Sequence, residues 1–537
     1  MNESEKNKSL LTRFLGTSAE CRASLRRCSR MGLCVVVSLA TLIALFYVEE
    51  DWRGKRAWNA YAKEAAAKGE VLDLAALAPP PIPDDQNFAM TPFLKPLFDF
   101  LPGTQTWRDR KAATNRMEFA ADIPASWQVQ KRDWRLGERT DWPAWQAAIG
   151  KAARKATAGS ATTNASLTTN RVEAARSVLA ALRKCEPVLT ELQTASEQRP
   201  RCRFNLRYEE ENYAALLVPH LMVIRGCVHL LALRAGAELT LGQTEAALKD
   251  LDLAFFLTDT IRNEPIPISQ LVRCATTQLT LQPLWEGLVD RRWSEAQLEH
   301  LQQRLARFDF LADAQLALRG ERADGNGIIV YARNHRGRLG VLGMTEAGDE
   351  SQASMIGLVA ALVPRGWFYL EQVSYNRAFD AYVRLGVDLA SRRVDPQVIA
   401  QNEKAIEQSL QGGGSLFFGH RLMAAVLLPA IPQAYRKFAY FQTLVDEATL
   451  ACALERYRLA NGHYPDALAD LTPQFVAKLP HDVITGEPLK YRRTDNGRFV
   501  LYSVGWNGKD DGGMIAMSGK SKTNMDIGEG DWVWPQP

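Results

Sequence analysis

"YAALLVPHLMVIRGCVHLLALRAGAELTLGQTEAALKDLDLAFFLTDTI", residues 213–261, decides the fold class. Its apolar residues recur at helical spacing on both sides of "LTLGQT", so it reads as two apolar helices joined by a short turn, an αα-hairpin. Similar periodicity runs from 171 to 410. "SEAQLEHLQQRLARF" adds an amphipathic helix with Ser294 as its N-cap. His220 and His229, nine apart in the first apolar helix, do not fall on adjacent turns of one face. They read as core or boundary residues rather than metal ligands. "SMIGLVAALVP", 354–364, is too short to cross a bilayer and reads as buried core or a surface-docking helix. "GGGS" at 412–415 reads as a hinge.

Ala247, Leu251 and Ala254 fall at a 4-then-3 spacing that resembles the second helix of a tetratricopeptide repeat. The matching first-helix signature and a recurring period of about 34 residues are lacking. The expectation is therefore a mainly α protein whose body, residues 171–410, is an irregular, repeat-like array of helical hairpins.

Upstream, "MGLCVVVSLATLIALFYV", Met31–Val48, carries no charge and is long enough to cross a hydrocarbon core as a helix. Lys6, Lys8, Arg13, Arg22, Arg26, Arg27 and Arg30 precede it, and Glu49, Glu50 and Asp51 follow. The positive-inside bias puts residues 1–30 in the cytoplasm, 31–48 in the membrane as a single-pass anchor, and the rest on the periplasmic or extracytoplasmic side of an inner membrane. A cleaved signal peptide is the rival reading, but no small-x-small cleavage pattern follows the apolar run. Residues 49–170 then read as a juxtamembrane helix, the spacer "PPPIPDD" at 79–85, and a region carrying Trp107, Trp127, Trp134, Trp142 and Trp145.

A chain of 537 residues exceeds what one core organises. Its net charge of +4 comes partly from the tail, which disfavours nucleic acid as a partner. Of eight cysteines, Cys185 and Cys202 flank a helix end and a turn and form the candidate disulfide for an oxidising compartment. Cys227, Cys274 and Cys452 sit in apolar helical patterns and read as buried thiols.

From Arg421 the pattern changes. Phe438, Phe441, Val445, Ala448, Cys452 and Leu459 mark one face of a long helix that "NGHYP" stops at Asn461–Gly462. "LKYRR" and "RFVLYSV" flank "TDNG", a hairpin signal at Asn496–Gly497. The order Ala424–Pro429, Tyr457–Pro465 and Tyr502–Gly508 resembles the major pseudopilin of type II secretion and its type IV pilin relatives, over about the last 115 residues. That resemblance implies a small C-terminal α+β lobe, 421–537, with an antiparallel sheet and a structural calcium loop. Here the pilin-like helix is internal and Val483 replaces the family's proline, so assembly into a fibre is not implied. The whole chain resembles uncharacterised membrane-anchored proteins of planctomycete and verrucomicrobial bacteria.

"WNGKDDGG" and "NMDIGEGDW" supply oxygen donors among glycines, the chemistry calcium prefers. The expected ligands are Asn507, Asp510, Asp511 and Asp526, with Asp531 close by; the rival reading is a polar surface turn. Elsewhere "GGMIAMSGKS" has the wrong spacing for a phosphate loop, and "GGGSLFFG" has Phe417 where a nucleophile elbow needs glycine. Two classes of function follow. One is a non-enzymatic binding or assembly protein linked to secretion or the cell envelope, with a protein partner. The other is a cell-envelope hydrolase with a pocket in the helical body.

Overall fold

The computed structural model describes residues 3–126, 133–156, 168–210, 216–336, 361–383, 386–411, 420–428, 431–519 and 524–536. The hinge at 412–415, Trp127 and most of 354–364 lie outside them. The chain forms two compact units. One comprises residues 1–69, 329–375 and 417–423; the other comprises 70–328, 376–416 and 424–537.

The first unit is built on α1 (Glu3–Ala67). Val35, Val36, Leu39, Leu42, Leu45 and Val48 on this helix are all exposed, while Tyr47 near the end of the charge-free run donates to the Leu362 carbonyl. A long, fully exposed apolar helix near the N-terminus is compatible with a membrane span or a signal.

In the larger unit, α2 (Arg110–Ser126), α3 (Trp142–Ala156), α4 (Arg171–Leu182) and α5 (Glu186–Gln198) surround α6 (Pro219–Thr240), α7 (Thr244–Asp259) and α8 (Pro267–Val289). α6 is apolar enough to pass for a second span, yet it is the buried centre of this unit. Val223, Val228, Leu231 and Ala235 are fully buried on the faces that neighbouring helices cover, while Met222 and Arg225 remain exposed. Ala247, Leu251 and Ala254 form the buried face of α7, as their spacing requires. α9 (Glu295–Leu305) opens with a capping box: Gln297 N donates to Ser294 Oγ and Ser294 N donates to Gln297 Oε1. The first four orphan N–H groups of a helix are otherwise left to water.

α10 (Phe310–Asn334), α11 (Arg365–Val383), the short pair β1 (Val387–Asp388) and β2 (Arg393–Val394), α12 (Pro396–Gln411) and α13 (Leu422–Leu427) lead to α14 (Ile431–Asn461). α14 ends where "NG" predicts: Gly462 takes φ +82° and its N–H reaches the Arg458 carbonyl at 2.8 Å. β3 (Lys490–Arg493), β4 (Phe499–Ser503), β5 (Ile515–Ser518), β6 (Asn524–Gly530) and β7 (Trp532–Trp534) follow. β3 and β4 pair antiparallel with Arg493 opposite Phe499, turning through Gly497 at φ +71°. The sheet order is β3-β4-β7, and β5 with β6 forms a separate ribbon.

α14 is deeply embedded. It packs on α8, α9 and the strands, and Ala448, Cys452 and Leu454 are fully buried. Trp134, Trp285 and Trp534 meet in one aromatic cluster, with Trp134 and Trp534 centroids 5.1 Å apart. The anticipated Cys185–Cys202 bond is not formed: both thiols are free, Cys185 buried in the α4–α6 core and Cys202 packed against that core. Cys227, Cys274 and Cys452 are buried thiols, as their apolar surroundings imply.

Candidate functional site

Four residues carry the expected ion site. Asp510 and Asp511 lie in the loop after β4, Asn507 opens that loop, and Asp526 lies in β6. The Asp510 carboxylate accepts from the Tyr502 hydroxyl at 2.9 Å and from Gly512 N at 3.1 Å, and Lys490 Nζ stands 3.6 Å away. The Tyr502 bond and the Gly512 amide hold its pKa below the usual carboxylate value. Asn507 Nδ2 donates to Glu529, and Asn507 Oδ1 accepts from Lys509 N. Asp526 Oδ1 accepts from Gly528 N at 2.9 Å, beside the Arg436 guanidinium.

The residue that organises the loop is Asp531. It is buried, and its two oxygens accept from Asp511 N at 3.2 Å and Gly513 N at 2.6 Å while its own N–H donates to the Met514 carbonyl. Burial raises its pKa against the pull of those amides. Among the described residues, no three His, Cys, Asp or Glu side chains gather around a common metal position.

The larger cleft lies elsewhere, between the end of α9, α14 and residues 473–483. Its volume is about 650 Å³, within the range that takes a small ligand or a short chain segment. Arg392 Nη1 donates to Asp309 at 2.5 Å on one wall. Arg456 binds Glu295, Gln302 and the Phe475 carbonyl on another. His481 Nε2 contacts the Ser391 carbonyl at 2.9 Å. Asp446, one turn from Gln442 on α14, has its pKa pushed up to about 7 by burial, against the Gln442 amide and the Arg392 charge. No motif links these residues in sequence; α9, β2 and α14 bring them together only in the fold.

A second cavity, about 350 Å³, lies in the helical part of the same unit and is walled by Leu74, Val218, Ile266, Leu271, Glu321 and Asp324. Burial pushes the carboxyls up, Glu321 to about 7 and Asp324 to about 6. One Asp324 oxygen is buried without a hydrogen-bond partner. Glu321 and Asp324 are three apart on α10, the spacing of neighbours on one helix face, so the pair was readable as a face but not as a pocket.

His220 is a core residue. It is fully buried between the Phe98 and Phe204 rings, and Nε2 lies 2.9 Å from Glu264, which also accepts from Ser269. The carboxylate sits between imidazole and hydroxyl, so this is not a serine–base pair. No family model, no curated protein and no solved structure matches the chain.

Proposed function

We propose that the protein is a single-pass, membrane-anchored, extracytoplasmic binding or assembly protein whose partner enters the α9–α14 cleft. The observation that carries this reading is the cleft itself. It is open and lined by both signs of charge, with Arg392 and Asp309 paired on one wall and residues 473–480 forming another. Protein surfaces of this mixed kind recognise by complementarity. A repeat-like array of helical hairpins and a pseudopilin-like lobe, meeting at this cleft, are the architecture the reading assumes. The exposed apolar run of α1 supports the anchor, and the charge step around it supports a cytoplasmic N-terminus.

The test is a photo-crosslinking amino acid placed at Gln303 or Lys478 inside the cleft and, as control, at Asn496 in the β3–β4 turn. Adducts in native membranes confined to the cleft positions support the reading. Adducts equal at all three positions, or at none, overturn it. Reporter fusions after residue 60 test the orientation, since cytoplasmic activity contradicts it.

The hydrolase reading is favoured by one observation, the Glu321–Asp324 pair in its apolar cavity, where one acid could hold a proton near neutral pH. Hydrolysis of envelope polymers lost in Glu321→Gln and Asp324→Asn would support it. Calcium at Asn507, Asp510, Asp511 and Asp526 is supported by the oxygen donors that these residues place among glycines and by the family resemblance. A higher unfolding midpoint in calcium, reversed by chelator and lost in Asp526→Ala, supports the ion. An unchanged midpoint leaves the loop to Asp531.

A further inference from the structure

We infer that residues 361–367, together with Tyr47–Arg56 of α1, form a second contact with the bilayer, at the level of its anionic headgroups. The inference rests on the reading of Met31–Val48 as a span. If the apolar run ends at Val48, a rise of about 1.5 Å per residue places Trp52–Arg56 about 6–12 Å further along the axis, in the headgroup layer.

Residues 361–367 are fastened at that level. Tyr47 donates its hydroxyl to the Leu362 carbonyl. Gly366 N donates to Asp51 Oδ1 at 2.6 Å, and Trp367 Nε1 to Glu50 Oε2 at 2.8 Å. The backbones approach so closely that a Cβ on Gly54 would stand 2.0 Å from the Gly366 carbonyl oxygen, and one on Gly366 1.9 Å from that of Glu50. Glycine at both positions is what lets the two segments cross.

The segment also meets the condition lipid imposes on irregular backbone. A non-helical stretch is tolerated at the membrane boundary only where its polar groups are satisfied. Tyr47 satisfies the Leu362 carbonyl, Arg336 satisfies Val363 at 2.7 Å, and Trp367 N reaches Pro364.

What faces outward is amphipathic. Leu362 is 66% exposed and Trp52 61% exposed. Arg56 stacks on Trp52 with its guanidinium 5.2 Å from the ring centroid, and Lys55 and Arg365 are exposed nearby. Two of the three acids at this level are engaged, Glu50 with Arg53 and Trp367 and Asp51 with Gly366, while Glu49 is exposed. A Trp and a Leu ringed by cations is the composition of an interfacial belt, and its charge selects anionic lipid.

The test uses the full chain reconstituted in vesicles, photolabelled with a lipid-soluble carbene and mapped by peptide. Labelling at both Met31–Val48 and Leu362 is expected in phosphatidylglycerol-containing vesicles. Labelling at Leu362 should fall about fivefold in pure phosphatidylcholine or in Arg365→Glu, with the span unchanged. Labelling of Met31–Val48 without Leu362 overturns the second contact and leaves the span standing. Labelling of neither overturns the span reading itself. Equal labelling of Leu362 in both lipids overturns the anionic preference.

Discussion

The indole N–H of Trp285, buried near the C-terminal end of α8, donates to the carbonyl of Pro535 at 2.9 Å across 250 residues of chain. Trp134 and Trp534 pack at a tilt beside that bond, so the last strand is held by helices of the central core. Trp534→Ala should destabilise the larger unit by about 3–5 kcal/mol, the cost of emptying a buried aromatic site. Trp285→Phe, which strands a buried carbonyl, should cost about 1–3 kcal/mol. Denaturant titration followed by circular dichroism and by tryptophan fluorescence should give coincident transitions in the parent protein. Separate transitions would show that the C-terminal strands unfold independently.

Arg273 is fully buried on α8, donates to Asp313 and Asp259, and lies over the Phe308 and Phe310 rings. Arg273→Leu should destabilise by about 3–5 kcal/mol because it leaves the buried Asp313 with only the half-exposed Arg262, 3.6 Å away, as a cation. Adding Asp313→Asn should recover part of that loss. If the single and double variants unfold at the same denaturant concentration, the pair is not coupled as its geometry implies.

Asp446 and Glu447 make stability depend on pH. Burial pushes Asp446 from 3.8 to about 7, and burial with the neighbouring Asp482 and Asp446 carboxyls pushes Glu447 well above its usual value. Both Glu447 oxygens are buried, with the Ser503 backbone the one group opposing the shift among the described residues. The folded state therefore holds protons that the unfolded chain releases, and the associated stability is full below about pH 4 and declines as pH rises through 7. Arg392 and Gln442 oppose the Asp446 shift, and Asp309 reinforces it. Asp446→Asn should flatten the decline and raise stability at pH 8 by about 2 kcal/mol. Glu447→Gln should act in the same direction. Unfolding midpoints compared at pH 5 and pH 8 measure this, and an unaltered difference in both variants contradicts it.

The α9 capping box offers a smaller, local test. Ser294→Ala removes an acceptor for Gln297 N and should cost about 1 kcal/mol. Ser294→Asp should restore it. Hydrogen exchange of the first turn of α9 should quicken only in the alanine variant.

Asp531→Asn tests what holds the loop after β4. An amide keeps one carbonyl oxygen where Asp531 offers two to the Asp511 and Gly513 amides, so about 1–3 kcal/mol should be lost, without calcium in the buffer. Faster exchange of those two amides is the expected signature; unchanged exchange would assign the loop to other contacts.

Local chemistry was legible wherever one short stretch sufficed. The charge-free run at Met31–Val48, the helical period of α6 and α7, the Ser294 cap, the Gly462 stop and the Asn496–Gly497 turn each follow from propensity and spacing within about one turn or hairpin. The sequence also marked the acids after β4, because glycines and carboxylates clustered there. It could not show that Asp531 would take the Asp511 and Gly513 amides, since that depends on β7 returning beside β4. Nor could it show that the apolar α6 is a buried core helix while the equally helical Met31–Val48 is bare: hydropathy records what a surface prefers, and only packing decides what covers it. Cys185 and Cys202 were candidates by spacing, yet the fold leaves both as free thiols in and against the core. The α9–α14 cleft and the Glu321–Asp324 cavity are assembled from segments far apart in the chain, and their raised carboxyl pKa values come from burial. Burial is a property of three-dimensional neighbours, so the sequence determined the elements and their ends, and the tertiary structure alone decided which side chains would meet and titrate together.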